Sequence, residues 1–416
     1  MDQPMNDIRF LWTICLALFL SFAITRGDDK AMIDKARLIH ARALTIDTHC
    51  DTPLHMSDST FDIGVRHQTG VKGSGKLDLP RMREGGLDAQ FFAVFVAQRD
   101  RTEENNRWAK AQADTYLALV KKMCEKYNGI ISFATTPEDA YRNEKAGRLS
   151  AYVGLENGFA LGRDLANVSR LYQAGVRYIT LCHTKNNDIC DSSTDSQGPE
   201  HNGLSVFGAQ VVTEMNRLGM IIDVSHVSDS TFYDVLRLSK APVIASHSCA
   251  RALCNNPRNL SDQMLQALAA KGGVVQICFM SDYLKAIKPN PDREAAIKAL
   301  EEKYGPMSEL KSPQKRRQYR TEYYEINEKY PREKATVQDV VDHIEHVIRI
   351  VGVDYVGIGT DVDGGGDISG CEDVSEMPNI TIELVKRGHS EAEIRKIWGE
   401  NFMRVFRMVE EASHSY

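Results

Sequence analysis

At 416 residues, with a formal net charge of −6, 42% hydrophobic and 26% charged residues, the chain has the composition of an ordinary soluble globular protein. The acidic balance argues against nucleic acid as a partner, because such binders carry a basic patch or stripe. The length allows two average domains or one large barrel of about 250 residues and upward.

Residues 10–24 form an apolar run behind Arg9. That length suits a signal-peptide core and falls short of the roughly 20 residues that span a bilayer. A signal peptide is expected over 1–27, followed by an exported domain over 28–416, periplasmic or extracellular. Asp2 and Asp7 dilute the basic flank, so an uncleaved, membrane-associated segment is the competing expectation. The polar carboxyl end offers no hydrophobic tail for a lipid anchor. Nine cysteines show no CxxC spacing. Cys249 with Cys254, or Cys182 with Cys190, are the candidate local pairs, and buried free thiols are expected for most.

A short amphipathic helix over 30–42 feeds the first of eight apolar runs, at 44–51, 87–96, 149–156, 176–183, 220–226, 242–247, 273–279 and 354–361. Helical patterns separate them at 103–127, 165–174, 206–218 and 229–239, and in a helix ending near Lys271. Near-continuous apolar runs separated by helices indicate parallel strands buried on both faces. Eight such units predict a (β/α)8 TIM barrel with its chemistry at the carboxyl ends of the strands, against a doubly wound open sheet as the competing fold. Residues 283–334 are dense in Lys, Glu, Arg and Tyr, too polar for barrel wall, and predict helices inserted between strands seven and eight. Such charge is most simply a solvated face; a lid or a homodimer contact is the sharper reading.

The strand ends carry the chemistry. Strand one ends in His49 and Asp51, strand three in Glu156, strand four in His183, strand five in His226, strand six in His247 and strand eight in Asp361. One histidine at a strand end is most simply a packed side chain. Six strands converging metal-ligand residue types on one mouth would leave carboxylates repelling one another and imidazoles without gain. A pair of divalent cations resolves that conflict. Two zinc ions need a bridging carboxylate and terminal ligands on each. Glu156 is the natural bridge, with His49 and Asp51 on one ion and His226 and His247 on the other. Nitrogen and oxygen donors without thiolate favour zinc, with manganese or cobalt as alternatives. Asp361 is left free as general base and acid.

These segments resemble the membrane dipeptidase (renal dipeptidase) family of the amidohydrolase superfamily. The resemblance runs from about Leu44 to Val409, outside the charged insertion. It is carried by IDTHCD at 46–51, LENG at 155–158, YITLCH at 178–183, GLSVFG at 203–208, NRLGMIIDVSHVS at 216–228, APVIASHS at 241–248, PRNL at 257–260, GTDVDG at 359–364 and NFMRVF at 401–406. It implies the same metal roles, and adds His183 polarising the scissile carbonyl and Arg258 gripping the substrate carboxylate, a task suited to a guanidinium fork. It also implies dipeptide substrates, including those with a carboxyl-terminal D-residue. Asn157-Gly158-Phe159 departs from the Gly-Gly-His of many relatives, the insertion is absent from the animal enzymes, and Cys254 matches a disulfide cysteine whose partner has no counterpart here. The expected function is an exported dinuclear zinc dipeptidase. A deacylase of N-acyl-D-amino acids and a catalytically silent metal-binding module are the alternatives, and a retained Asp361 speaks against the second.

Overall fold

Eight parallel strands close around one interior: β1 (Ile46–Cys50), β2 (Ala89–Phe95), β3 (Leu149–Glu156), β4 (Val176–Thr180), β5 (Ile221–Asp223), β6 (Ile244–Ser248), β7 (Val274–Ile277) and β8 (Val356–Ile358), each hydrogen-bonded to the next. The structure is a computed structural model and describes residues 29–414 apart from 72, 307–309 and 311. The expected signal segment, 1–27, lies outside the described residues. Just beyond β8 the ring is completed by the Cys50–Val362 bridge. There Asp361 N–H donates to the His49 carbonyl at 3.0 Å and Asp51 N–H to the Val362 carbonyl at 2.9 Å. The TIM barrel expected from the apolar runs is the fold observed.

Helices lie outside the ring, and their starts follow from local chemistry. Ser205, Ser228 and Ser261 each accept a backbone N–H in the first turn of the helices Val206–Leu218, Asp229–Leu238 and Asp262–Ala270, satisfying one of the donors a helix start leaves unpaired. Inside, the amino-terminal half is a dry plug of Phe91, Tyr152, Tyr178, Ile221, Ile244 and Val274, closed by Phe402 and Phe406 of the last helix, Asn401–Ser413. The plug leaves no room elsewhere: a Cβ on Gly154 would lie 2.0 Å from the Tyr178 ring. Apolar filling at one end confines the polar side chains to the other.

The connection from β7 to β8 opens with the helices Ser281–Leu284, Pro291–Tyr304 and Pro313–Lys329. The longer two share a small core of Leu300, Leu310 and Tyr319. At their base Ala335–Thr336 pairs with Ile368–Ser369, and the amphipathic helix Val337–Val351 returns the chain to the barrel. An added strand and early strand ends differ from expectation: β4 stops at Thr180 and β8 at Ile358, each three residues short of the end of its apolar run. A short strand, Ile131–Phe133, pairs with the start of β3; three residues are too few to carry a periodic signal. Strand β5 ends at Asp223 rather than 226, because the chain turns out of the ladder to reach His226, whose φ is +71°. Among the described residues, Cys50, Cys124, Cys182, Cys190, Cys249, Cys254, Cys278 and Cys371 are all free and buried, so neither candidate local pair is bridged.

Phe406 is fully buried, with ring centroids 5.9 Å from Tyr152 and 6.1 Å from Phe402. Phe406→Ala is expected to destabilise the fold by about 3–5 kcal/mol, read as a lowered denaturant midpoint with an unchanged slope.

Candidate metal centre

The barrel brings every strand-end candidate to one mouth. His49 sits within β1 and Asp51 just past it; Glu156 is the last residue of β3; His247 lies within β6. His183, His226 and Asp361 each stand three residues beyond their strands, and the last two have left-handed backbones, with Asp361 at φ +60°. Such a φ is costly for a non-glycine residue and persists only where the surroundings fix it. The Ser193 N–H on the His226 carbonyl, at 2.8 Å, and the Asp361 N–H on His49 do so here.

Glu156 is the centre of the cluster. Its Oε2 lies 3.3 Å from His49 Nε2, while Oε1 lies 3.2 Å from His226 Nε2, 3.6 Å from His183 Nε2 and 3.7 Å from His247 Nε2. On the outer side His49 Nε2 stands 3.7 Å from Asp51 Oδ2 and 4.0 Å from Asp361 Oδ1. Three overlapping groups therefore have ligand-type atoms close enough to share an ion: His49, Glu156 and His247; Glu156, His183 and His226; His49, Asp51 and Asp361.

Buried neighbours orient two of these imidazoles. The Tyr178 hydroxyl donates to the Thr48 carbonyl at 3.2 Å. Its oxygen therefore accepts from His49 Nδ1–H at 2.8 Å, and the Nε2 lone pair faces the mouth. The Ser246 hydroxyl likewise donates to Asp223 Oδ2 at 2.6 Å and accepts from His247 Nδ1–H at 2.8 Å. Asp223 is held in turn by the Thr180 hydroxyl at 2.5 Å and by backbone N–H groups of Ser225 and Ser246. A hydrogen bond that fixes the tautomer behind the ligating nitrogen is the usual support of a metal-bound histidine.

The electrostatics of the bare polypeptide are unfavourable. Burial pushes the Glu156 carboxyl up, with His49 opposing and Asp51 adding to the rise. It pushes Asp361 well above the carboxylate range in the same way. Burial, then the charges of Arg258 and neighbouring imidazoles, hold His226 and His247 well below their ordinary value, and His183 at about 3. His226 Nε2 and His247 Nε2 meet at 2.9 Å, and His49 Nε2 and Asp51 Oδ1 are buried without a hydrogen-bond partner. Lone pairs converging in a dry, carboxylate-rich pocket are the donor set that a divalent cation needs. The residues fit the metal.

Arg258 reaches this mouth from the loop after β6. It is buried, with Nη2 donating to the His247 carbonyl at 3.1 Å and its guanidinium 5.3 Å from the Tyr283 ring centroid. Among the described residues its Nε has no hydrogen-bond partner, leaving a donor edge free. Cys278, 3.9 Å from Asp361 Oδ2, is a buried thiol whose pKa burial raises strongly, so it offers no thiolate. Reasoning from strand ends alone passes over Tyr178, Ser246 and Asp223. The signal for them was polarity inside strands otherwise apolar on both faces.

A barrel whose mouth gathers imidazoles and carboxylates around a shared glutamate is a metal-dependent hydrolase in architecture. The model of the membrane dipeptidase family (peptidase family M19) matches residues 33–416, and the chain belongs to that family. It is a metallo-dipeptidase, a peptide-bond hydrolase. It is 33% identical over 369 residues to dipeptidase tcpJ of Claviceps purpurea (strain 20.1), covering 87% of this chain and 76% of that one. It is 34% identical over 343 residues to dipeptidase verJ of Clonostachys rogersoniana, covering 81% and 76%. The crystal structure of the probable dipeptidase PvdM from Pseudomonas aeruginosa superposes with a TM-score of 0.78 at 30% identity, covering 92% of this chain and 99% of that one.

Tyr178→Phe removes the acceptor for His49 Nδ1–H and should lower metal affinity about 10- to 100-fold, measured by competition with a chelator. Unchanged affinity would remove Tyr178 from the support of the site.

Proposed function

We propose that this chain is a dinuclear zinc dipeptidase: Glu156 would be shared between the two ions as the bridging carboxylate, with His49 and Asp51 holding one and His226 and His247 the other. The observation that carries this reading is the division of labour within one carboxylate, Oε2 toward His49 and Oε1 toward the other three imidazoles. When bound, the ions supply positive charge that activates water near neutral pH and polarises a carbonyl.

The rest is done by the chain. Arg258 binds the substrate's terminal carboxylate, which sets the scissile bond over Glu156. His183, kept neutral by burial, donates its ring N–H to the carbonyl oxygen as negative charge develops there. Asp361, with an elevated proton affinity, takes the proton of the attacking water and passes it to the amide nitrogen as the C–N bond breaks. The resemblance supports dipeptides with a carboxyl-terminal D-residue among the substrates. The apolar run at 10–24 supports export; among the described residues no helix is long and apolar enough to cross a membrane.

Metal analysis of the purified protein alongside hydrolysis of L-Xaa-D-Xaa dipeptides tests the whole reading. Two equivalents of zinc, loss of activity with chelator and recovery on adding zinc are expected. Hydrolysis of N-acyl-D-amino acids but not dipeptides would overturn it. Asp361→Asn should keep both metals while kcat falls about 10²- to 10⁴-fold, and wild-type turnover in that variant would remove Asp361 from proton transfer. Arg258→Ala should cost about 10²-fold in kcat/KM on dipeptides with a free carboxylate, with much less effect on carboxyl-amidated analogues. Equal losses on both would show that Arg258 does not read the carboxylate.

A further inference from the structure

β1 and β8 are the two ends of the hydrogen-bonded path around the barrel, and among the described residues no ladder joins them. The seam between them is closed past Ile358 by the Cys50–Val362 bridge. The chemistry is divided across the same seam. His49 and Asp51 stand on the β1 side and Asp361 on the β8 side, with His49 Nε2 4.0 Å from Asp361 Oδ1. Whatever fixes the seam fixes how Asp361 meets the metal centre.

Asp47 and Thr360, both fully buried, face each other across it. Asp47 Oδ1 accepts from the His49 N–H at 3.2 Å and from the Thr360 N–H at 2.8 Å. Its Oδ2 accepts from the Thr360 hydroxyl at 2.6 Å. In a continuous ladder the Thr360 N–H would find a strand carbonyl; at this seam a side-chain carboxylate takes that place. One oxygen thus touches the backbone of a metal-ligand candidate and the backbone of the residue before Asp361.

Thr360 carries the constraint onward. Its hydroxyl accepts from the Val362 N–H at 3.2 Å, so its own proton goes to Asp47, and Asp361 is bracketed on both sides. The Asp361 carbonyl accepts from Gly365 and Gly366 N–H groups at 2.9 and 2.6 Å, which holds the left-handed backbone from within the loop. Only the contacts to Asp47, the Asp361 N–H on the His49 carbonyl and the Cys50–Val362 bridge tie that loop to β1. Asp223 is the counterpart on the other side of the ring, where it acts on His247 through Ser246. Asp47 instead faces the segment that carries the proton-transfer group.

We propose that Asp47 and Thr360 are positioning residues for Asp361, a clamp across the seam that sets its carboxylate against the attacking water. The assignment rests on Asp361 being the group that moves the proton.

The test measures kcat, KM and zinc content of the zinc-loaded full chain on L-Ala-D-Ala. Thr360→Val removes the hydroxyl and keeps the side-chain shape. In that variant kcat should fall about 10- to 100-fold while KM and zinc content stay at wild-type values, and Thr360→Ser should restore kcat. Made in an Asp361→Asn background, Thr360→Val should lower kcat little further, because the group it aims is already gone. Wild-type kcat in Thr360→Val, loss of zinc, or an equal fold loss in both backgrounds overturns the clamp and leaves the role of Asp361 standing. Wild-type turnover in Asp361→Asn alone overturns the proton-transfer reading, and the clamp with it. If Thr360→Val does not fold, Asp47→Asn, which keeps an oxygen for the two N–H groups and replaces the acceptor of the hydroxyl, is held to the same outcomes.

Discussion

One buried carboxylate sets the terms for this barrel. Glu156 sits at the end of β3 with four imidazoles within 3.7 Å of its two oxygens, in a pocket where burial opposes charge on Glu156, Asp361, His183, His226 and His247, while His49, against that burial, is raised by Tyr178 and Glu156. Protonating His49 answers only part of the charge: Glu156 and Asp361 still repel Asp51 when ionised, and His183, His226 and His247 pay for burial and for Arg258 nearby when protonated. Cations satisfy both sets together. The surrounding structure is consistent with that demand. Tyr178 and Ser246 hold proton-bearing nitrogens away from the mouth, so the lone pairs of His49 and His247 point into it.

Packing and chemistry share the same side chains. Tyr178 fills the plug of the barrel with its ring and orients His49 with its hydroxyl, and it fits only because position 154, two residues before Glu156, is glycine. Asp223 lies among apolar neighbours in β5, yet ties β4, β5 and β6 together through Thr180, Ser225 and Ser246. Asp363, also at positive φ, accepts from the Thr52 hydroxyl at 2.8 Å and the Lys76 N–H at 2.7 Å. It fastens the loop carrying Asp361 to the loop that follows β1. The strain at Asn157, His226, Asp361 and Asp363 is thus concentrated around the mouth and held by contacts between neighbouring loops.

This division explains what could be read from the chain. The strands were legible because burial on both faces leaves near-unbroken apolar runs, and the insertion because such charge has no place in a barrel wall. His49, Glu156 and His247 lie within or at the end of strands, where counting along an apolar run finds them. His183, His226 and Asp361 lie past the ladders in conformations that alternation does not describe; only their repeated occurrence at run ends marked them. Tyr178 and Ser246 resemble ordinary strand residues; the role of Tyr178 exists only once β4 lies across from β1, and that of Ser246 only once β6 pairs with β5, which supplies Asp223. Arg258 came from resemblance alone, since its loop reaches the mouth by contacts, such as that to the His247 carbonyl, that no local pattern encodes.

The place of Arg258 in the ring bears on the insertion. Arg258 packs over Tyr283, at the root of the inserted helices, and Asn259 donates to the Tyr283 carbonyl at 2.7 Å. His343 accepts from Ala250 N–H and donates to the Leu284 carbonyl, so it joins the Arg258 loop to the same root. The charged helices therefore grow out of the wall that would hold the carboxylate. The shared glutamate and its imidazoles stand instead on β1, β3 and β6 and on the turns after β4 and β5. A chain can lengthen the connection between β7 and β8 without moving any of those groups, provided the turn at 281–284 keeps its hold on the Arg258 loop. Variation in the insertion is thereby separated from the chemistry while remaining in contact with recognition.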